Sequence, residues 1–150
     1  MLNEVSVNCP LEKVFSFLAA PEKFPLWNYY LRSVQKVQEG NPVIGARYHQ
    51  QRVKDEQNFS VTAFEKNKYI EYSSTGGTWL KFKRRFNVSM VNSVCIVEDR
   101  FEIRTFLPSF INSIIAKKPA AAVKENLLKL KELLETGTTV LQDNRRITLA

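Results

Sequence analysis

The chain has 150 residues, of which 44% are hydrophobic and 25% are charged, a balance typical of one soluble globular domain with its own core. No apolar run approaches the roughly 18 residues of a membrane span, and the N-terminal segment MLNEVSVNCP is too polar for a signal peptide. The net charge of +7 favours acidic surfaces as partners, and two cysteines without a motif favour a reducing, cytoplasmic setting.

The first half of the chain predicts strands that are separated by turns and by two short helical segments. Pro10 stands where a first helical residue belongs, because its missing N–H needs no partner there, and Pro21 ends that helix. The polar strand at 46–54 has two faces of similar polarity, so the sequence does not indicate which face points inward. The predicted strands are 2–8, 30–37, 46–54, 58–65 and 69–74, and the short helical segments are 10–20 and 22–29, the second being a helix or a turn.

A hairpin at 79–104 is the centre of the predicted sheet. Alternate residues of each arm are apolar, so each arm has one apolar and one polar face. A short turn at Val91-Asn92 brings the two apolar faces together, and a slip of one residue would expose both. The cross-strand partners are then Leu80 with Ile103, Phe82 with Phe101, Phe86 with Val97, and Val88 with Cys95.

Each apolar face of this hairpin has one polar interruption, Arg84 on the first arm and Asp99 on the second. The predicted register places them directly opposite each other, so we expect an inward-pointing ion pair. Removing one partner of a buried pair costs roughly 3–5 kcal/mol. The pair is either a polar anchor in a ligand cavity or a structural pair, at a frayed sheet edge or elsewhere, with no ligand.

The polar face of the first arm carries Lys81, Lys83 and Arg85, while the neighbouring Phe82 and Phe86 face the other way. Nucleic-acid surfaces typically interleave aromatic and basic side chains on one face. We therefore expect no nucleic-acid partner. The basic face is either simply solvated or makes transient contact with an anionic membrane.

After Pro108 the pattern changes to helical spacing. Val123, Leu127, Leu130 and Leu134 recur on one face of a helix at 109–136, and Gly137 is a natural stop. Pro119 either kinks this helix or divides it in two. Residues 138–150 lack periodicity and are predicted to be a tail outside the domain at 1–137, although VL and ITL could add an edge strand.

The residue types that carry common chemistries are sparse. His49 is the only histidine and lies in a polar strand, so a Ser-His-Asp triad is not indicated. No group of His, Cys and carboxylates has metal-ligand spacing, and Gly76-Gly77 lacks the rest of a phosphate loop. The sequence predicts no catalytic residue, no metal and no cofactor.

The order of elements, with the segments at 5–18, 21–27, 45–48 and 127–135, resembles the START, Bet v 1-like and polyketide cyclase/dehydrase (SRPBCC) superfamily. The resemblance implies an α+β helix-grip fold, in which a curved seven-stranded antiparallel sheet wraps around a long C-terminal helix, with two short helices after strand 1. It also implies a cavity for a hydrophobic ligand between sheet and helix, with Trp27 near its mouth. The residues implied to line the cavity are Trp27, Phe59, Val61, Tyr72, Phe82, Arg84, Phe86, Asp99, Phe101, Ile114, Ile115, Val123 and Leu127; for each aromatic, plain core packing is the alternative.

The expected function is therefore to bind or carry a hydrophobic small molecule, such as a lipid, quinone or polyketide-like compound. Arg84, Asp99 and Tyr72 would orient it. The alternative is a cyclase or dehydrase-type enzyme, in which Arg84 stabilises an enolate and Tyr72 or Asp99 moves a proton. A weaker third option is a protein-interaction module like the chaperone-activating proteins of this fold. The oligomeric state stays open.

Overall fold

The computed structural model describes residues 1–76, 80–105 and 107–149, and the side chains of residues 109 and 112–120 are outside that description. Within these ranges the chain forms strands, two α-helices and one short 3-10 helix. Their bounds are β1 Leu2–Val7, α1 Leu11–Leu18, the 3-10 helix Pro21–Leu26, β2 Leu31–Gln38, β3 Arg47–Arg52, β4 Glu56–Glu65, β5 Tyr69–Thr75, β6 Lys81–Val91, β7 Val94–Arg104, α2 Ser109–Thr136, β8 Thr138–Val140 and β9 Arg146–Thr148.

Seven strands form one antiparallel sheet in the order β1-β7-β6-β5-β4-β3-β2. From β2 to β7 each strand pairs with the next along the chain, so these six strands form an antiparallel meander. β1 pairs with β7 at one edge and β2 lies at the other, so α1 and the 3-10 helix carry the chain between the edges. Together with the long C-terminal helix α2, this is the predicted architecture.

The predicted register of the β6–β7 hairpin was wrong by two residues. Arg84 lies opposite Phe101, and Asp99 lies opposite Phe86, because the turn is at Asn92-Ser93 and Val91 still pairs with Val94. Both turn residues have positive φ, 50° and 66°, as in the tight hairpin turns that suit twisted strands. A slip of two residues leaves every side chain on its face, so alternation alone could not distinguish the two registers.

Helix α2 runs without a break from Ser109 to Thr136, so the option of two separate helices is not realised. It ends as predicted at Gly137, whose φ of 81° is left-handed and whose amide donates to the carbonyl oxygen of Leu133 at 2.9 Å. None of the helices in the described part of the chain is both long enough and apolar enough to cross a bilayer.

The last residues form a small hairpin of their own, β8 with β9, and not an edge strand of the main sheet. Leu141 is 2% exposed and Thr139 is 1% exposed, so the hairpin packs into the body of the protein. The amide of Leu149 donates to the carbonyl oxygen of Gly137 at 2.8 Å, which ties the end of the hairpin to the end of α2.

The core lies on the face of the sheet that meets the helices. Its largest fully buried side chains include Trp27, Phe59, Tyr72 and Phe86. From α2, four leucines at helical spacing enter the same core, and they are Leu127, Leu130, Leu133 and Leu134. In β3, whose inward face the sequence left open, Tyr48 and Gln50 point inward and both are buried.

The two edge strands of the sheet, β1 and β2, differ in their contacts. At the β1 edge, α2 covers backbone groups with its side chains: the Lys131 ammonium donates to the carbonyl oxygen of Ser6, and the Glu135 carboxylate accepts from the amide of Asn8 at 2.6 Å. At the β2 edge, the pairing with β3 is interrupted by two irregularities, between Leu31 and Ser33 and between Lys36 and Gln38.

Candidate functional site

A cavity of about 340 Å³ opens between the inner face of the sheet and α2. Its volume is at the small end of the range for ligand pockets, about 300–1,000 Å³. Most of its wall is aromatic or aliphatic. The apolar lining residues are Phe24, Tyr30, Leu31, Phe59, Tyr72, Leu80, Phe82, Phe101, Ile103, Ala122 and Val123, and the polar ones are Asn28, Gln50, Arg52, Lys54, Asp55, Arg84 and Asn126.

The predicted ion pair lies in the wall of this cavity. Arg84 donates from Nε to one oxygen of Asp99 at 3.0 Å and from Nη2 to the other at 2.6 Å. Because the register is shifted, this contact is diagonal between the strands, which a long arginine side chain can span. The side chains are only 9% and 0% exposed, so the prediction of an inward-pointing pair is confirmed.

Aromatic rings surround the Arg84 guanidinium. Its central carbon lies 4.7 Å from the ring centre of Phe86, 5.3 Å from that of Phe101 and 5.6 Å from that of Trp27. Rings attract a cation through their electron-rich faces, and this attraction is stronger away from water. The rings and Asp99 together hold the guanidinium in one orientation at the cavity wall.

Two amide side chains add polar groups to the cavity. Gln50 donates to Gln57 Oε1 at 3.4 Å, and Gln57 in turn donates to the carbonyl oxygen of Leu80 at 3.0 Å. Asn126 Oδ1 accepts from Gln142 Nε2 in the C-terminal hairpin at 3.2 Å. Gln50 and Asn126 are buried, so their orientation is fixed by these contacts.

Tyr72 lines the cavity with its ring, but its hydroxyl is already engaged. The hydroxyl donates to the carbonyl oxygen of Leu18 at 2.7 Å. Burial raises the pKa of Tyr72 well above its ordinary value, since the charged form would lose its hydration. The group is therefore a neutral, oriented side chain at neutral pH.

The rim of the cavity carries charged side chains at the turn between β3 and β4. Arg52 and Asp55 form a two-point pair, from Nε at 2.6 Å and from Nη2 at 2.7 Å. Lys54 lies between them in the sequence and is exposed. The interior is therefore mainly apolar, and the free charge is confined to the solvent side.

The structure divides the predicted site residues into three groups. Those that line the cavity are Phe59, Tyr72, Phe82, Arg84, Phe101 and Val123. Those that are buried in the core or wall without lining it are Trp27, Val61, Phe86, Asp99 and Leu127. The side chains of Ile114 and Ile115 lie outside the described residues.

Trp27 is not at a cavity mouth, where the resemblance placed it. It is fully buried, and its ring centre lies 5.4 Å from that of Phe24 and 6.3 Å from that of Phe86. The short 3-10 helix turns it toward the sheet. Its indole nitrogen has no hydrogen-bond partner among the described residues.

Sequence reasoning missed Gln50 and Asn126 as cavity residues. Gln50 lies in a strand whose two faces have similar polarity, so the pattern offered no signal. Asn126 follows Val123 by three positions and precedes Leu127 by one, so helical spacing could have placed it on the apolar face of α2.

His49 lies away from the cavity on the outer face of β3. Its ring nitrogens contact Asn58 Oδ1 at 2.6 Å and Glu56 Oε2 at 3.3 Å. Among the residues that the structure describes, no three His, Cys, Asp or Glu side chains are grouped as metal ligands.

No protein-family model and no curated protein sequence matches the chain. Solved structures do match it. A START superfamily protein from Mycobacterium smegmatis is 16% identical, with a TM-score of 0.69 over 89% of this chain and 97% of that one. The Aha1 dimer from Colwellia psychrerythraea is 19% identical, with a TM-score of 0.67 over 91% and 96%.

A third match is the di-domain ARO/CYC BexL from the BE-7585A biosynthetic pathway. It is 13% identical with a TM-score of 0.73, and the match covers 88% of this chain and 45% of that one. At these identities the likeness concerns the fold alone. The fold is shared by proteins with different names, so the function has to come from the site.

Proposed function

Since the chain has the helix-grip fold of the START and Bet v 1-like superfamily, we propose that it binds a hydrophobic small molecule in the cavity between sheet and α2. The observation that carries this proposal is the cavity itself, about 340 Å³ with a mainly apolar wall. Burial of a ligand's apolar surface there contributes roughly 25 cal/mol per Å². A lipid, quinone or polyketide-like compound fits this description.

The size of the cavity favours a compact ligand. A volume near the lower limit for ligand pockets suits one ring system or one short chain better than a two-chained lipid. Arg84 would fix the orientation of such a ligand, since it is the charged group held inside the cavity wall.

The alternative function, a cyclase or dehydrase-type enzyme, is supported by the same arginine, which could stabilise an enolate oxygen. The groups that would move the proton are less well placed. The Tyr72 hydroxyl already donates a hydrogen bond to the carbonyl oxygen of Leu18, and both oxygens of Asp99 accept hydrogen bonds from Arg84. Binding is therefore the better supported function.

A blocked cavity tests the binding function. Val123 lines the cavity from α2, so Val123→Trp should fill it, while Leu128→Trp on the exposed side of the same helix should not. Native mass spectrometry of protein purified from cells should show a small co-purifying mass in the wild type and in Leu128→Trp, and its loss in Val123→Trp. Circular dichroism confirms that both variants fold. The same adduct on folded Val123→Trp would contradict the proposal.

We also propose that the protein makes transient contact with anionic membranes. The net charge of +7 supports this. The basic face of β6 is less free than its sequence indicates, because Lys83 and Arg85 lie 3.8 and 3.7 Å from Glu71. Lys81, next to the cavity residue Leu80, is exposed.

A further inference from the structure

We propose that the cavity selects uncharged aromatic ligands that carry a carbonyl or hydroxyl oxygen, and that it discriminates against carboxylates. This inference rests on the proposed binding function. It adds the charge state and the ring character of the ligand, which the fold does not determine.

The charge of Arg84 is already neutralised inside the protein. Two of its nitrogens bind the two oxygens of Asp99, and Asp99 is fully buried. A ligand carboxylate placed beside this pair would leave one negative charge without a counter-ion in a mostly apolar cavity. A buried uncompensated charge is strongly unfavourable.

The rim does not supply a strong counter-ion either. Arg52 is paired with Asp55 through two hydrogen bonds. Among the cations of the described cavity wall, this leaves Lys54, which is exposed to solvent. An ion pair with an exposed lysine contributes only about 0–1 kcal/mol, so it cannot offset the desolvation of a carboxylate.

Hydrogen-bonding groups nevertheless remain available in the cavity. Arg84 Nη1, Gln50 Oε1 and Asn126 Nδ2 make no hydrogen bond to any described residue, and the three residues line the same cavity from β6, β3 and α2. A carbonyl oxygen can accept from Arg84 or Asn126, and a hydroxyl can donate to Gln50. These are the few polar groups that orient a ligand in an apolar pocket.

The cavity wall offers flat surfaces. The rings of Phe82 and Phe101 are nearly parallel, at 8°, with centres 6.0 Å apart, and the Phe59 ring meets Tyr72 edge-on at 5.6 Å. Aromatic rings prefer offset or edge-to-face contact with other rings. A planar ring system therefore fits this wall better than a flexible chain, which would lose more conformational freedom on binding.

Three probes of one skeleton test the inference: naphthalene, 2-acetylnaphthalene and 2-naphthoate, titrated at neutral pH with ligand-observed NMR. One hydrogen bond to a charged donor is worth about 1.5–3 kcal/mol, so the ketone should bind about tenfold or more tightly than naphthalene. The carboxylate should bind more weakly than the ketone by at least as much.

The double variant Arg84→Met/Asp99→Leu removes the pair without leaving a buried charge alone, a change that folded proteins often tolerate. It should lower the affinity ratio of ketone to naphthalene several-fold, with Asn126 left as the remaining donor to the carbonyl oxygen. Gln50→Met keeps the pair and should leave that ratio high, but should lower the affinity for 2-naphthol, whose hydroxyl donates. If the double variant fails to fold, the inference is still tested by Gln50→Met and by the relative affinities of the probes for the wild-type protein.

The outcomes separate the two proposals. If naphthoate binds as tightly as the ketone, or if the ketone has no advantage over naphthalene, the inference is wrong while binding in the cavity stands. If none of the three probes binds, the inference is wrong, and the native mass spectrometry of wild type and Val123→Trp tests the binding function separately.

Discussion

At the scale of single residues, the cavity is built from polar groups that are fixed before any ligand arrives. Asp99 orients Arg84, Leu18 orients Tyr72, and Gln142 orients Asn126. Such prior ordering lowers the entropic cost of binding, because these side chains of the protein are already immobile.

Tyr72 should make the protein less stable at alkaline pH. Its pKa is raised above the unfolded value of about 10, so its contribution is complete below that pH and is lost as pH rises through the higher folded pKa. Tyr72→Phe should therefore make the fall in unfolding free energy above about pH 10 shallower. Urea unfolding of both proteins at several pH values measures this fall in unfolding free energy.

The variant also removes the hydrogen bond to Leu18, so at neutral pH it should lose about 1–3 kcal/mol of stability. Tyr69→Phe, at the part-buried start of the same strand, is the matched control and should keep the wild-type alkaline decline. An unchanged decline in Tyr72→Phe would contradict a raised pKa of Tyr72 in the folded protein.

The sequence predicted the Arg84–Asp99 contact because these two opposite charges interrupt the two apolar faces of the hairpin. The error of two residues in the predicted register did not remove the contact, because such a shift leaves both side chains on the same face of the sheet. It could not predict Gln50, because polarity on β3 does not distinguish inside from outside. The fully buried position of Trp27 follows from the short 3-10 helix, whose exact turn has no sequence signature.

At the scale of elements, the sheet and the long helix were predictable, and the C-terminal hairpin was not. The strands of the sheet alternate over six to eleven residues, whereas β8 and β9 have three residues each. Alternation over three residues carries almost no signal. The hairpin matters because it buries Leu141 and, through Gln142, holds Asn126 at the cavity.

Two neighbouring residues of this hairpin test its contribution to stability. Leu141→Ala should cost about 2–5 kcal/mol of unfolding free energy, because a fully buried leucine leaves a cavity behind. Val140→Ala, at a position that is 40% exposed, should cost far less. Chemical denaturation of both variants measures this; equal small losses would show that the hairpin is not part of the cooperative fold.

At the scale of the whole molecule, net charge governs which surfaces the protein approaches. With a net charge of +7, it should sediment with vesicles that contain anionic lipid and not with zwitterionic ones. Raising the salt from about 0.05 to about 0.5 M should release it, since salt screens exposed charges.

Lys81→Glu tests whether this contact is local, with Lys13→Glu on α1 as a control of equal charge change. A local contact beside the cavity predicts weaker sedimentation for Lys81→Glu than for the control. Equal sedimentation of the two variants would assign the effect to net charge alone, and absence of binding at low salt would refute the membrane contact.

The tethering of β1 by Lys131 and Glu135 also bears on self-association at high concentration. An open strand border is a template for cross-β stacking of one copy onto the next. Here charged side chains of the helix bind one backbone carbonyl and one backbone amide at one border, and two register shifts in the pairing of β2 with β3 make the other border irregular. Both features should disfavour the stacking of a second copy onto either border of the sheet.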